Sequence, residues 1–197
     1  SITATTMAFM LRGFDPILAV TLAPADAFEL WQIPLFILLG VLCGLMAWYF
    51  TSMNSRVGGF FKSIDKQYKK WLWGGAILGI LIFVFPPLYG EGYEGFTSLM
   101  HGNAQELFNN SLFYRFRDID WVIILFVIAT MFFKVIAMST TNAAGGVGGT
   151  FAPSLFVGAF TGASLALVCN TLFGWEVSIV SFTLVGICLL YTSDAAD

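Results

Sequence analysis

The apolar residues of this chain fall into long runs separated by short polar interruptions. The first complete run is Pro34 to Phe50, PLFILLGVLCGLMAWYF, about 17 residues and so at the short end of what crosses a hydrocarbon core of ~30 Å. Pro34 suits the first turn of a helix, where its missing N–H breaks no helix bond. Apolar residues then recur at three- and four-residue spacing through Met53, Val57, Phe60, Phe61 and Ile64, with Arg56, Lys62 and Lys66 elsewhere, which predicts an amphipathic extension. Trp71 to Phe85 is a second run, stopped by Pro86-Pro87. Trp121 to Met138 is a third, interrupted by Lys134; Phe151 to Phe173 is a fourth, and Val177 to Ile187 begins a fifth. Before these, Ser1 to Val20 reads as the end of a membrane helix broken at Arg12-Gly13-Phe14-Asp15-Pro16, where Asp-Pro signals a turn, and Thr21 to Trp31 is a polar link. The pattern predicts an all-α integral membrane protein with about five membrane-embedded helices.

One interruption differs from the others. Ser139 to Gly162 reads STTNAAGGVGGTFAPSLFVGAFTG, with four glycines in the five positions from Gly145 to Gly149. A helix signal restarts at Phe151, with Pro153 in its first turn. This predicts a broken, re-entrant Gly-rich segment and a helix that starts inside the protein at membrane depth. Such backbone is tolerated there only where it is buried in protein or lines a cavity. Free N–H donors and partial positive charge at that helix end suit an anion. Gly149 is expected to give the backbone a conformation closed to residues with a Cβ. Three glycine pairs at four-residue spacing, Gly40/Gly44, Gly75/Gly79 and Gly158/Gly162, are expected to permit close helix approach.

Composition supports the membrane reading. Of the 197 residues 58% are hydrophobic, 17% aromatic and only 11% charged, with mean hydropathy +0.83. The net charge of −3 gives no case for nucleic acid. Five of the nine Lys and Arg residues lie between Arg56 and Lys70, so by the positive-inside rule that link is cytoplasmic and Tyr89 to Arg117 lies on the other side. Lys134 is close to Ser139-Thr140-Thr141 and is expected to snorkel toward cytoplasmic water, the alternative being a functional lysine facing the interior. Cys43, Cys169 and Cys188 are scattered and lack metal or disulfide spacing, and His101 has no partner at ligand spacing. With HExxH and GxSxG absent and no third glycine to complete GxGxxG, neither catalytic residues nor a metal site nor a cofactor is expected.

The most specific motif carries a family resemblance. Gly149-Thr150-Phe151-Ala152-Pro153 matches the GxFxP signature of the CLC family of chloride channels and chloride/proton antiporters, and the preceding SxxxxAGGVG resembles that family's Gly-rich entry to the same helix. Pro86 to Glu94, PPLYGEGYE, is similar to the family stretch in which a helix ends in proline, a Gly-rich turn and a Tyr-Glu pair, with Glu91 where a glycine is expected. The resemblance covers nearly all of Ser1 to Ile187. It implies an anion, chloride or a similar one, bound at the element Gly149, Thr150, Phe151, Ala152 and Pro153, with the backbone N–H groups of Thr150 and Phe151 as the expected donors. It also implies a homodimer in the complete protein, each subunit with its own pathway. The family's GxEGP glutamate and GSGIP serine motifs would lie upstream of Ser1, and its tyrosine helix downstream. Channel and antiporter are therefore not distinguished by these residues.

The segment Cys188 to Asp197, CLLYTSDAAD, resembles the translation of a sequencing-library adapter, so 1–187 is expected to be the partial CLC-type domain and 188–197 a non-native tail; a frayed natural end is the alternative. The location expected is the plasma membrane of a prokaryote, as a multi-pass protein. Two readings stand beside the anion transporter. One is an unrelated secondary transporter with a broken helix, which would need a second Gly/Pro-broken helix. The other is a structural membrane module without an anion site.

Overall fold

A computed structural model describes residues 30–90, 93–100, 107–108, 111, 114–116 and 119–194. Its α-helices are α1 Ile33–Lys62, α2 Gln67–Val84, α3 Tyr93–Met100, α4 Asp120–Ala143, α5 Phe151–Phe173 and α6 Ile179–Asp194, and no strand occurs among the described residues. The expected helix end at Ser1–Val20 and most of the link after Tyr89, with His101, fall outside the described residues. Leu30–Lys62, Trp121–Ala143 and Phe151–Phe173 are each long and apolar enough to cross a membrane, and Ile179–Thr192 is a shorter apolar helix. With α2 these occupy the five apolar runs of the sequence, and three of them are long and apolar enough to cross a membrane, consistent with an all-α membrane protein.

The signature helix α5 is the centre. It packs against α1, α3, α4 and α6, and residues Phe156 through Ala166 are buried without interruption. A helix buried all round must be apolar or small on every face. Here the sequence supplies Gly, Ala, Ser and Thr among its phenylalanines. Thr161 and Ser164 keep their hydroxyls satisfied by donating to the carbonyls of Val157 (2.7 Å) and Phe160 (2.6 Å) in the preceding turn.

α1 shows the opposite regime. It is apolar on all sides, yet it buries one face only, Leu35, Leu39, Cys43, Met46 and Phe50, and leaves Ile37, Val41, Leu45 and Trp48 exposed. Lipid tails solvate such a face as well as protein does. The predicted amphipathic extension is continuous with the span; Phe61 is buried and Phe60 exposed.

Close approach decides the α5–α6 crossing. A Cβ on Gly158 would lie 2.6 Å from the Gly186 carbonyl oxygen, a Cβ on Gly186 would meet the Gly158 carbonyl, and one on Gly162 would meet that of Phe182. The Gly158/Gly162 pair thus does what its spacing predicted, with Gly186 as an unforeseen partner. Gly40, Gly44, Gly75 and Gly79 do not: nothing lies within 4 Å of a Cβ at any of them. Spacing alone marks a permissive stripe, and no described backbone comes to use these two.

The α5–α6 connection is closed by one side chain. Asn170 donates from Nδ2 to the Val177 carbonyl (3.0 Å) and accepts the Val177 N–H at Oδ1 (2.8 Å), while Gly174 turns the chain at φ 62°. α6 then runs through Cys188 to Asp194, with the Tyr191 ring edge-on to Phe151 at 5.5 Å. α3, which no periodicity announced, packs on α5 through Gly95, whose Cβ would meet the Phe160 ring at 3.4 Å.

Gly162→Ala is expected to destabilise the protein by about 2–3 kcal/mol, because the added carbon falls on a main-chain carbonyl. Gly40→Ala should stay within about 0.5 kcal/mol of the parent. Thermal unfolding of the two detergent-solubilised variants beside the parent measures the contrast.

Candidate functional site

The helix before the break is longer than the apolar pattern implied. α4 continues through Ser139, Thr140 and Thr141 to Ala143 because its polar side chains fold back on the preceding turn: Thr141 Oγ1 donates to the Ala137 carbonyl (2.9 Å), and Asn142 Nδ2 lies 3.2 Å from Met138 Sδ. The helix then ends in a two-bond glycine cap. Gly145 N–H donates to the Asn142 carbonyl (3.2 Å) and Gly146 N–H to that of Thr141 (2.9 Å), with Gly145 at φ 99°. The first turns of α2 flank this cap, since a Cβ on Gly145 would lie 2.7 Å from Gln67 Nε2 and 3.4 Å from Trp71 Nε1.

This corrects the role expected of Gly149. Positive φ among the described glycines is confined to Gly90, Gly145 and Gly174, and nothing lies within 4 Å of a Cβ on Gly149. The conformation closed to other residues is needed where α4 stops, at Gly145, and not where α5 starts.

α5 begins at Phe151 after Thr150, which sits at φ −83°, ψ −20° and provides no side-chain cap. The first bond of the new helix runs from Ser154 N–H to the Thr150 carbonyl (3.0 Å). The N–H groups of Thr150, Phe151 and Ala152 therefore have no acceptor among the described residues, and Pro153 has no N–H to offer. Helices α1, α2 and α4 also lack side-chain caps. The start of α5 also has a space in front of it. A cavity of about 610 Å³ is lined by Gly148, Gly149, Phe151, Ala152 and Pro153, and by Lys134 on the facing helix. Four of the five residues expected at the site thus share one cavity; Thr150 is exposed and does not line it. The turn from Gly145 to Thr150 is exposed, so the helix start is open to this space and is not enclosed by the described residues.

Lys134 overturns the snorkelling expectation. Its side chain is 3% exposed and turns inward, donating to the carbonyls of Leu88 (3.1 Å) and Gly90 (2.8 Å), with the ammonium 4.9 Å from the centre of the Phe156 ring. The chain brings those acceptors by breaking after α2. Pro86–Leu88 forms a single 3-10 turn, Gly90 follows at φ 63°, and Leu88, Tyr89 and Gly90 reach the same cavity. The Pro- and Gly-broken segment that the sequence marked as a helix stop and turn therefore shares this cavity with the break before α5. α4 also buries the hydroxyls of Thr130 and Ser139, neither of which has a hydrogen-bond partner among the described residues.

The sequence pattern of the family described as "Voltage gated chloride channel" matches residues 1–193. The chain belongs to that family. Two curated CLC relatives come from Arabidopsis thaliana. "Chloride channel protein CLC-e" is 29% identical over 136 residues, which cover 66% of this chain and 17% of that protein. "Chloride channel protein CLC-f" is 30% identical over 171 residues, 83% of this chain and 20% of that protein. The chain thus spans a fifth or less of the length of the CLC proteins it matches. No solved structure gives a significant match.

Within this CLC chain, Gly145→Ala is expected to cost roughly 1–2 kcal/mol, since a Cβ is disfavoured at positive φ and would crowd Gln67. Gly149→Ala should cost less than about 0.5 kcal/mol. Graded SDS unfolding followed by circular dichroism separates them.

Proposed function

We propose that this chain forms part of the ion pathway of a chloride channel or chloride/proton antiporter, and that it holds the anion at the backbone N–H groups of Thr150 and Phe151. The observation that carries the reading is the start of α5, with three N–H donors ahead of its first helix bond and its first turn lining a cavity of about 610 Å³. Partial positive charge at a helix N-terminus and main-chain donors without acceptors suit a small, weakly basic anion. The complete protein carries chloride across a membrane as a homodimer, is not an enzyme and needs no cofactor. Membership of the CLC family and the apolar helices support an integral membrane location; because both relatives are plant proteins, the comparisons lend no support to a prokaryotic plasma membrane.

Main-chain binding has a mutational signature, to be read in the complete protein by calorimetric chloride titration. Thr150→Ala and Phe151→Ala keep their N–H groups and should hold chloride within about threefold of the parent. Phe151→Pro deletes one donor at a helix position that tolerates proline, and should weaken binding by about tenfold or more. Equal loss in Phe151→Ala and Phe151→Pro would place the effect in the side chain and refute the amide site. A second expectation follows from the short span of the family covered: residues 1–197 alone, reconstituted in liposomes, give no chloride flux above empty vesicles.

A further inference from the structure

Lys134 is the only charged side chain buried among the described residues. An ammonium taken out of water is costly, and a lysine stem is long enough to carry it back to the interface where no interior role holds it. Here the groups that hold it include two main-chain carbonyls from a segment 44 to 46 positions earlier and the face of Phe156 in the second turn of α5. Those carbonyls belong to the Leu88–Gly90 turn, which lines the same cavity as the start of α5. Left without the ammonium, their oxygens would present the negative ends of two peptide dipoles beside the path that the α5 amides make favourable to anions.

We infer that Lys134 is a positioning residue of the anion path: it fixes the Leu88–Gly90 wall and draws its carbonyl oxygens onto a cation, so that the cavity accepts a small monovalent anion. This rests on the anion reading of the cavity and assigns that reading its second component, contributed by α4. Positive charge and hydrogen-bond donation are both required, which separates lysine and arginine from any neutral residue.

The test uses the complete protein in detergent, with chloride as the titrant and thermal unfolding as the check on folding. Lys134→Arg should hold chloride within about threefold of the parent. Lys134→Met should fold and bind chloride about tenfold or more weakly, an effect expected of one charge acting at short range in a medium of low dielectric. Lys134→Gln retains a donor without the charge and should fall between them; it replaces the methionine variant, with a loss of at least threefold required, if that one does not fold. Binding within twofold of the parent in a folded neutral variant overturns the inference. So does a set in which every neutral variant is unfolded while Lys134→Arg matches the parent, because the lysine then serves the fold alone. Phe151→Pro is titrated alongside. If it loses chloride and Lys134→Met does not, the lysine role fails and the helix-end site stands; if the parent binds no chloride, the anion reading itself fails.

Discussion

A chain in lipid has to satisfy its peptide N–H and C=O groups from within, and in this protein each place where a helix stops is organised by that requirement. The end of α4 is closed by Gly145 and Gly146 amides donating back to Asn142 and Thr141. The passage from α5 to α6 is closed by the two-way bond between Asn170 and Val177, and Ser178 Oγ then accepts the Ser181 N–H at 3.3 Å to start α6. The break after α2 leaves the Leu88 and Gly90 carbonyls facing inward, and Lys134 meets them. Against this pattern, the Phe151 and Ala152 N–H groups at the start of α5 have no acceptor among the described residues, and both residues line a cavity.

The same requirement explains why α5 is both central and rich in small residues. From Phe156 to Ala166 the helix is buried without interruption and held by neighbours on several sides. Contact with α6 is set by main chain against main chain, at Gly158 with Gly186 and Gly162 with Phe182. Contact with α4 includes the Thr161 hydroxyl 3.1 Å from Met131 Sδ. The position of the Phe151 amide is therefore fixed by packing well beyond the first turn, and a binding site made of backbone inherits the rigidity of the helix crossing. Such a site has little dependence on the identity of nearby side chains.

Much of the architecture was legible in the sequence because it depends on local chemistry. Run length and periodicity gave the five apolar helices; Pro86-Pro87 marked a stop, and glycine clustering with Pro153 placed the restart at Phe151 and the end of α5 at Phe173, as observed. The GxFxP motif and the order of its neighbours identified the family, and four of the five residues it singled out line one cavity. Helix formation and termination are decided within a few residues, and motifs of this kind preserve the backbone conformations they need.

What the tertiary structure alone decided was the use made of each feature. Glycine spacing is the same on α1, α2 and α5, but among the described residues another backbone arrives to occupy the gap only on α5. Positive φ belonged to Gly145 and not Gly149, because the demand came from the closing turn of α4 and from α2 beside it. Ser139 to Thr141 stayed helical, with the Thr141 hydroxyl satisfied by the Ala137 carbonyl one turn back. Above all, the direction of Lys134 depended on carbonyls supplied by residues 44 to 46 positions away, at a chain break that reads as an ordinary turn. A flexible side chain follows its acceptors, and those are a property of the assembled fold, not of the helix that carries the lysine.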